Sequence, residues 1–178
     1  MTLSYFFEKA CKILTRASVD RKSETRNIIV SNLDGEYPDS RIMVLREVDI
    51  ERKSFTFFSD KNSKKIKILS SNPLGCILAW DRKNQIQIRA KGNFVILPHI
   101  EEYWSRLSVK GKASYGNYPI PSTPISSPEK FAARQTKASF SVLKFFAEEF
   151  DVLWLRREKH VRATYDSSDS WKGSWIVP

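Results

Sequence analysis

Between Arg41 and Gly92 the chain alternates, and that alternation narrows the folds open to it. Arg41 to Arg46 is apolar between two cations, Ser54 to Phe58 interleaves polar and aromatic side chains, Leu74 to Trp80 is apolar, and Gln85 to Ala90 alternates strictly. A period of two over such lengths marks strands with one face in a core. The breaks are compact and polar: Asp49 to Lys53, Ser59 to Lys65, and Asp81 to Asn84. The last reads as the four-residue loop of a hairpin joining Leu74–Trp80 to a strand over Gln85–Leu97. Gly92, inside that second strand, implies a bulge or a close backbone approach, a device that helps a sheet curl into a barrel.

The flanks add helices to this β unit. Leu3, Phe6, Phe7, Ala10, Ile13 and Leu14 recur at helical spacing, which predicts an amphipathic helix over Leu3–Ala17 packed on the sheet, then a polar connector over 18–25. Asn27 to Leu33 reads as a first strand, with a turn at Asp34-Gly35 and an extended link through Tyr37-Pro38. Ile66 to Ser70 is a short helix stopped at Asn72-Pro73. Pro98 to Leu107 reads as a helix with Ile100, Tyr103, Trp104 and Leu107 as its stripe. Residues 108–128 form a loop with prolines at 119, 121, 124 and 128 and glycines at 111 and 116; loops of that length are usually functional or mobile. Ser127-Pro128-Glu129 signals a helix start, and 130–137 and 139–149 read as two helical pieces. Strands follow over Phe150–Leu155, Lys159–Tyr165 and Trp171–Pro178. The expectation is one domain over residues 1–178, mainly β with flanking helices.

Composition excludes several classes. A chain of 178 residues, 41% hydrophobic and 28% charged, can bury a core and is not of disordered type. No apolar run approaches a membrane span, and Glu8, Lys9 and Lys12 interrupt any secretory pattern near the N-terminus. Cys11 and Cys76 make neither a disulfide framework nor a metal-ligand spacing, and Cys76 reads as a small buried thiol. A cytoplasmic location is the default expectation. The net charge of +10 invites a nucleic-acid reading, yet the cations are scattered and no nucleic-acid-binding motif is present.

One break carries chemistry. Ser59-Asp60-Lys61-Asn62-Ser63-Lys64-Lys65 is rich in hydroxyls, amides and cations and opens the short helix. A helix start has unpaired N–H groups and a partial positive charge, so Ser63, Lys64 and Lys65 could seat a phosphate, with Arg41 as a planar donor from the neighbouring strand. Taken alone, charge runs of this kind more often form a solvated turn and helix face.

The order and spacing of several pieces resemble the pyridoxamine 5'-phosphate oxidase family of FMN-binding split barrels. The pieces are Arg41-Ile42-Met43-Val44-Leu45-Arg46, Phe57-Phe58-Ser59-Asp60, Ser63-Lys64-Lys65, Asn72-Pro73, Leu78-Ala79-Trp80, Ile86 to Gly92, and the terminal Trp175-Ile176-Val177-Pro178. The resemblance implies an antiparallel split β-barrel of Greek-key type, bound FMN, and a homodimer with each flavin between subunits. It implies flavin contacts from Arg41, Ile42, Met43, Val44, Phe58, Ser59, Ser63, Lys64, Lys65, Gln87 and Trp154. Arg41, Ser63, Lys64 and Lys65 would take the phosphate, Met43, Val44 and a partner's Trp154 the ring, and Ser59 and Gln87 its polar edge. Arg46, Arg106, His160 and Arg162 match substrate positions. The family's Tyr-x-x-x-Arg-Pro and Arg-Leu-His-Asp-Arg elements are altered here, at Tyr103–Leu107 and His160–Thr164, so the implied activity is an FMN-dependent oxidase or reductase of a small, unassigned substrate, which could be phosphorylated. Ser114 and Asn117 are positional guesses for a further flavin element. Two alternatives stand beside this reading: a non-catalytic barrel binding flavin or haem, with His99 and His160 the only histidines, and a nucleic-acid binder.

Overall fold

The computed structural model describes residues 1–97 and 100–178. Helix α1 (Leu3–Val19) is followed by strands β1 (Asn27–Asp34), β2 (Tyr37–Val44), β3 (Glu47–Asp49) and β4 (Ser54–Asp60). Helix α2 (Lys64–Ser71), β5 (Leu74–Asp81) and β6 (Ile86–Ile96) come next. Then follow α3 (Glu101–Ser105), α4 (Val109–Lys112), β7 (Asn117–Tyr118), β8 (Ala132–Ala133), β9 (Phe140–Trp154), β10 (Val161–Asp166) and β11 (Ser174–Ile176).

The strands close into an antiparallel barrel. The order is β11-β10-β9-β6-β5-β1-β2, with β4 pairing both β9 and β3. Leu45 and Arg46 carry β2 into β3, and the Arg46 N–H donates to the Thr56 carbonyl of β4 at 2.9 Å, so the ring closes through β4 back to β9. Closure leaves few free edges for another chain to extend. Inward positions are filled by Ile28, Val30, Leu45, Phe55, Phe57, Ile77, Ile86, Phe145, Phe150 and Val152, all buried. Each large apolar side chain so placed is worth about 2–3 kcal/mol against exposure. Helix α1 plugs one end with Phe6, Ala10, Leu14 and Ala17, its first turn capped by Thr2 Oγ1 accepting the Tyr5 N–H at 3.3 Å.

Gly92 is a true bulge. The β6–β9 register shifts between Lys91 and Gly92, and a Cβ added at Gly92 would lie 1.9 Å from the Phe146 carbonyl oxygen. The shift leaves Glu148 without a register partner, since Lys91 faces Glu149 and Gly92 faces Ala147.

That bulge explains the main correction. Residues 139–149, expected as helix, belong to the 15-residue strand β9. β9 lies at the sheet centre between β6 on one side and β4 then β10 on the other, and most of its residues are buried. A strand covered on both faces shows no alternation, and a bulge midway changes its phase, so its apolar run imitates a helix. No helix forms over 128–137 either: Ala132–Ala133 pairs with Asn117–Tyr118, and the residues after the Ser-Pro signal are exposed and bring no apolar face to bury. The helix expected from residue 98 is the short α3; Pro98 and His99 lie outside the described residues. The closing strand spans only Ser174–Ile176, because Trp171 turns with φ 64° to pack on Phe7 and Phe150.

Candidate functional site

A cavity of about 390 Å³ opens where β2, the end of β4, the turn before α2 and the 108–128 segment meet. Arg41, Ile42, Met43, Val44, Arg46, Phe58, Ser59, Ser63 and Lys65 line it, so nine of the residues singled out in the sequence converge here. β2 supplies a run of consecutive residues because it forms the barrel wall at this point. The β4 end and the α2 start meet it because Ser59 and Ser63 flank one tight turn.

The cationic centre is Lys65. Its ammonium, half-buried, donates to Ser59 Oγ at 3.1 Å and Ser63 Oγ at 3.3 Å, and the two hydroxyls lie 3.1 Å apart. Burial, then the charge of Arg41, push the Lys65 pKa down, against the pull of Asp60 and Asp39. The Arg41 guanidinium donates to the Val30 carbonyl at 3.3 Å and to Asn32 and Asp39, which fixes its plane at the cavity wall. A lysine whose charge is disfavoured beside a second cation is stabilised when an anion arrives. Ser63 caps α2 without bonding a helix N–H through its side chain, so its hydroxyl stays with Lys65.

The other wall holds Arg46. Its guanidinium lies 5.0 Å from the Phe58 ring centroid, and its Nε is buried without a hydrogen-bond partner among the described residues. Burial pushes the Tyr115 hydroxyl pKa up, against the charge and hydrogen bond of Arg46. Two cations and two hydroxyls around one cavity, with the Arg46 guanidinium on its other wall, make a donor set that fits the phosphate of a cofactor such as FMN.

The family model for the pyridoxamine 5'-phosphate oxidase FMN-binding domain matches residues 7–98. The chain belongs to this family. Solved relatives share the fold over nearly the whole length. A pyridoxamine 5'-phosphate oxidase-related, FMN-binding protein from Nostoc punctiforme superposes with a TM-score of 0.77 at 19% identity, covering 97% of each chain. PhzG from Burkholderia lata, in complex with tetrahydrophenazine-1-carboxylic acid, gives 0.78 at 19% identity over 97% of this chain and 92% of that one. A Clostridium acetobutylicum protein related to general stress protein 26 gives 0.61 at 15% identity over 95% and 99%. No curated protein matches the chain in sequence.

Other residues matched to this pyridoxamine 5'-phosphate oxidase family stand elsewhere in the single chain. Lys64 is exposed and ion-paired with Asp34. Gln87 lies on the outer face of β6, opposite Trp80 and Leu153. Trp154 turns inward, its ring 6.2 Å from Phe6, with Lys9 at 4.4 Å and Arg156 at 5.2 Å from its centroid. Leu153, not Trp154, therefore shares a face with Gln87, and Arg162 is its register partner on β10. Arg162 is tied to Asp151, His160 is exposed in the turn before β10, and Arg106 binds Glu47 at 3.2 Å and Glu102. Tyr103 also donates to Glu47, at 3.1 Å, so this carboxylate occupies both side chains of the helix element.

Sequence reasoning missed Asp60, Tyr115 and Pro121 as lining residues, while Ser114 does reach the cavity. Only Asp60, next to Ser59, carried a local signal. Tyr115 and Pro121 come from a segment with no periodicity to place it. Among the described residues no helix is long and apolar enough to cross a membrane.

Proposed function

We propose that the protein is an FMN-dependent oxidoreductase that acts as a homodimer on a small molecule carrying an anionic group. One observation carries the reading: the Lys65 ammonium over the Ser59 and Ser63 hydroxyls, with Arg41 beside it, in a cavity of an FMN-binding family domain. When bound, the flavin supplies a two-electron acceptor for a substrate hydride. Lys65 and Arg41 would neutralise its phosphate, Ser59 and Ser63 would donate to the phosphate oxygens, and Met43 and Val44 would flank the ring. Arg46, with a spare N–H and Tyr115 at its side, suits a carboxylate or phosphate on the substrate.

The outer barrel face supports a dimer. Ile42, exposed by 69%, both lines the cavity and sits on this face beside Ile29, which pairs with Leu78 on β5. Trp80, Gln87 and Leu153 continue the face across β5, β6 and β9. An exposed apolar face continuous with a half-open cavity suits burial against a second copy, whose Gln87, Leu153 and Arg162 would cover the ring.

The purified protein is expected to be yellow, with about one FMN per chain, and to elute as a dimer. A colourless protein that takes up no added FMN overturns the reading; a yellow monomer overturns the shared site alone.

A further inference from the structure

Asp60 ends β4 with its carboxylate buried, and its two oxygens serve two different parts of the cavity. Oδ1 accepts the Asn62 N–H at 2.8 Å, which shapes the turn leading to Ser63 and Lys65. Oδ2 accepts the Gly116 N–H at 2.9 Å, on the segment whose Ser114 and Tyr115 form the opposite wall. Gly116 is held from its other side as well. Its φ is 86°, a Cβ there would come within 2.5 Å of Thr136 Cγ2, and its carbonyl accepts the Arg134 N–H at 3.0 Å.

We infer that Asp60 is a positioning residue that couples occupancy of the Lys65–Arg41 seat to closure of the 108–128 segment over the cavity. The coupling is electrostatic. With the seat open, the Lys65 ammonium, on the same turn, draws on the Asp60 carboxylate, while Arg41 is held by Asp39. Once an anion engages Lys65, the carboxylate is left to its two N–H donors, and the Gly116 bond strengthens. Asparagine at this position has one acceptor oxygen, so it can keep the local Asn62 turn but not the Gly116 bond as well. The inference rests on the proposed function only for the identity of the ligand, since the coupling needs nothing more than an anion in the seat.

Inorganic phosphate tests it without flavin. Trypsin cleavage after Lys110, Lys112, Lys130 and Arg134 is followed in the full-length protein. Phosphate is expected to slow cleavage about tenfold in the wild type, the effect of one charge-assisted hydrogen bond, and less than about twofold in Asp60→Asn. Equal protection of both proteins, or none in the wild type, overturns the inference. Should Asp60→Asn fail to fold, hydrogen exchange at the Gly116 amide of the wild type decides: phosphate should raise its protection about tenfold, and an unchanged rate overturns the coupling. If phosphate protects the segment and FMN does not bind, the coupling stands and the flavin proposal falls.

Discussion

Two clusters of charge on this barrel use similar residues to opposite ends. On the outer face, Asp151 is 5% exposed and accepts from Arg162 at 3.0 and 2.6 Å and from Arg89. At the cavity, Lys65 has hydroxyl partners but, among the described residues, no carboxylate within ion-pair distance, while Arg41 beside it is paired with Asp39. In the first cluster the carboxylate is fully engaged by two guanidinium groups, although the Arg89 Nε is buried without a partner among the described residues. The second keeps the Lys65 charge in reserve, since Arg41 is itself paired with Asp39. A carboxylate held by two guanidinium groups ties neighbouring strands together, whereas an ammonium held only by hydroxyls is placed to meet an anion that arrives.

The comparison breaks most readily at Lys65. Lys65→Ala should weaken FMN binding about 100-fold, the loss of a charge-assisted contact to phosphate, with folding stability intact, as flavin fluorescence quenching and thermal melts would show. Its lowered pKa adds a sign: affinity should fall as pH rises through that value, and Lys65→Arg should remove this alkaline limb. An alanine variant that binds FMN as tightly as the wild type would erase the distinction between the clusters.

Asp151→Asn should act on stability instead. The expected loss is about 2 kcal/mol, less than for a fully buried pair because both arginines reach solvent. Burial raises the Asp151 pKa, but the hydrogen bonds and charges of Arg162 and Arg89 outweigh it, so the net shift is downward. A carboxylate with a lowered folded pKa contributes stability above its ordinary pKa, and that contribution disappears as pH falls through the folded value. The wild type should therefore lose stability below about pH 4, and Asp151→Asn should lack that portion of the acid limb, as denaturant titrations across pH would measure.

Lys64→Ala should do least. Its ammonium pairs with Asp34 on the surface, away from the cavity, so FMN affinity should change less than about twofold. A large loss would mean that Lys64 leaves Asp34 when the ligand binds, and the reserve of charge would have to be redrawn around both lysines.

Much of the barrel was legible because alternation is a local signal. β4 and β6 read directly from it, β5 read as an apolar run between turns, and the hairpin across Asp81–Asn84 followed, while Gly92, read as a bulge or a close approach, proved to be both. β9 did not read this way, since burial on both faces and the phase change opposite Gly92 erased its period. At the cavity, Arg41, Ser59, Ser63 and Lys65 were legible because a strand end and a helix start lie close in the chain. Lys64 and Lys65 are adjacent and chemically alike, so nothing in the sequence separated the one turned to Asp34 from the one turned to the hydroxyls.

By itself, then, the order of residues determined strands β1, β4, β5 and β6, the hairpin at Asp81–Asn84, the N-terminal helix and the cationic turn at 59–65, because each depends on neighbours a few positions apart. Only the tertiary structure decided that Tyr115 and Arg46 share a wall, that Asp60 reaches Gly116, that Glu47 binds Tyr103 and Arg106, and that Trp154 faces Phe6 while Leu153 faces out. Those outcomes depend on register and burial across strands far apart in the chain, and a one-residue shift reverses which side chain meets the core.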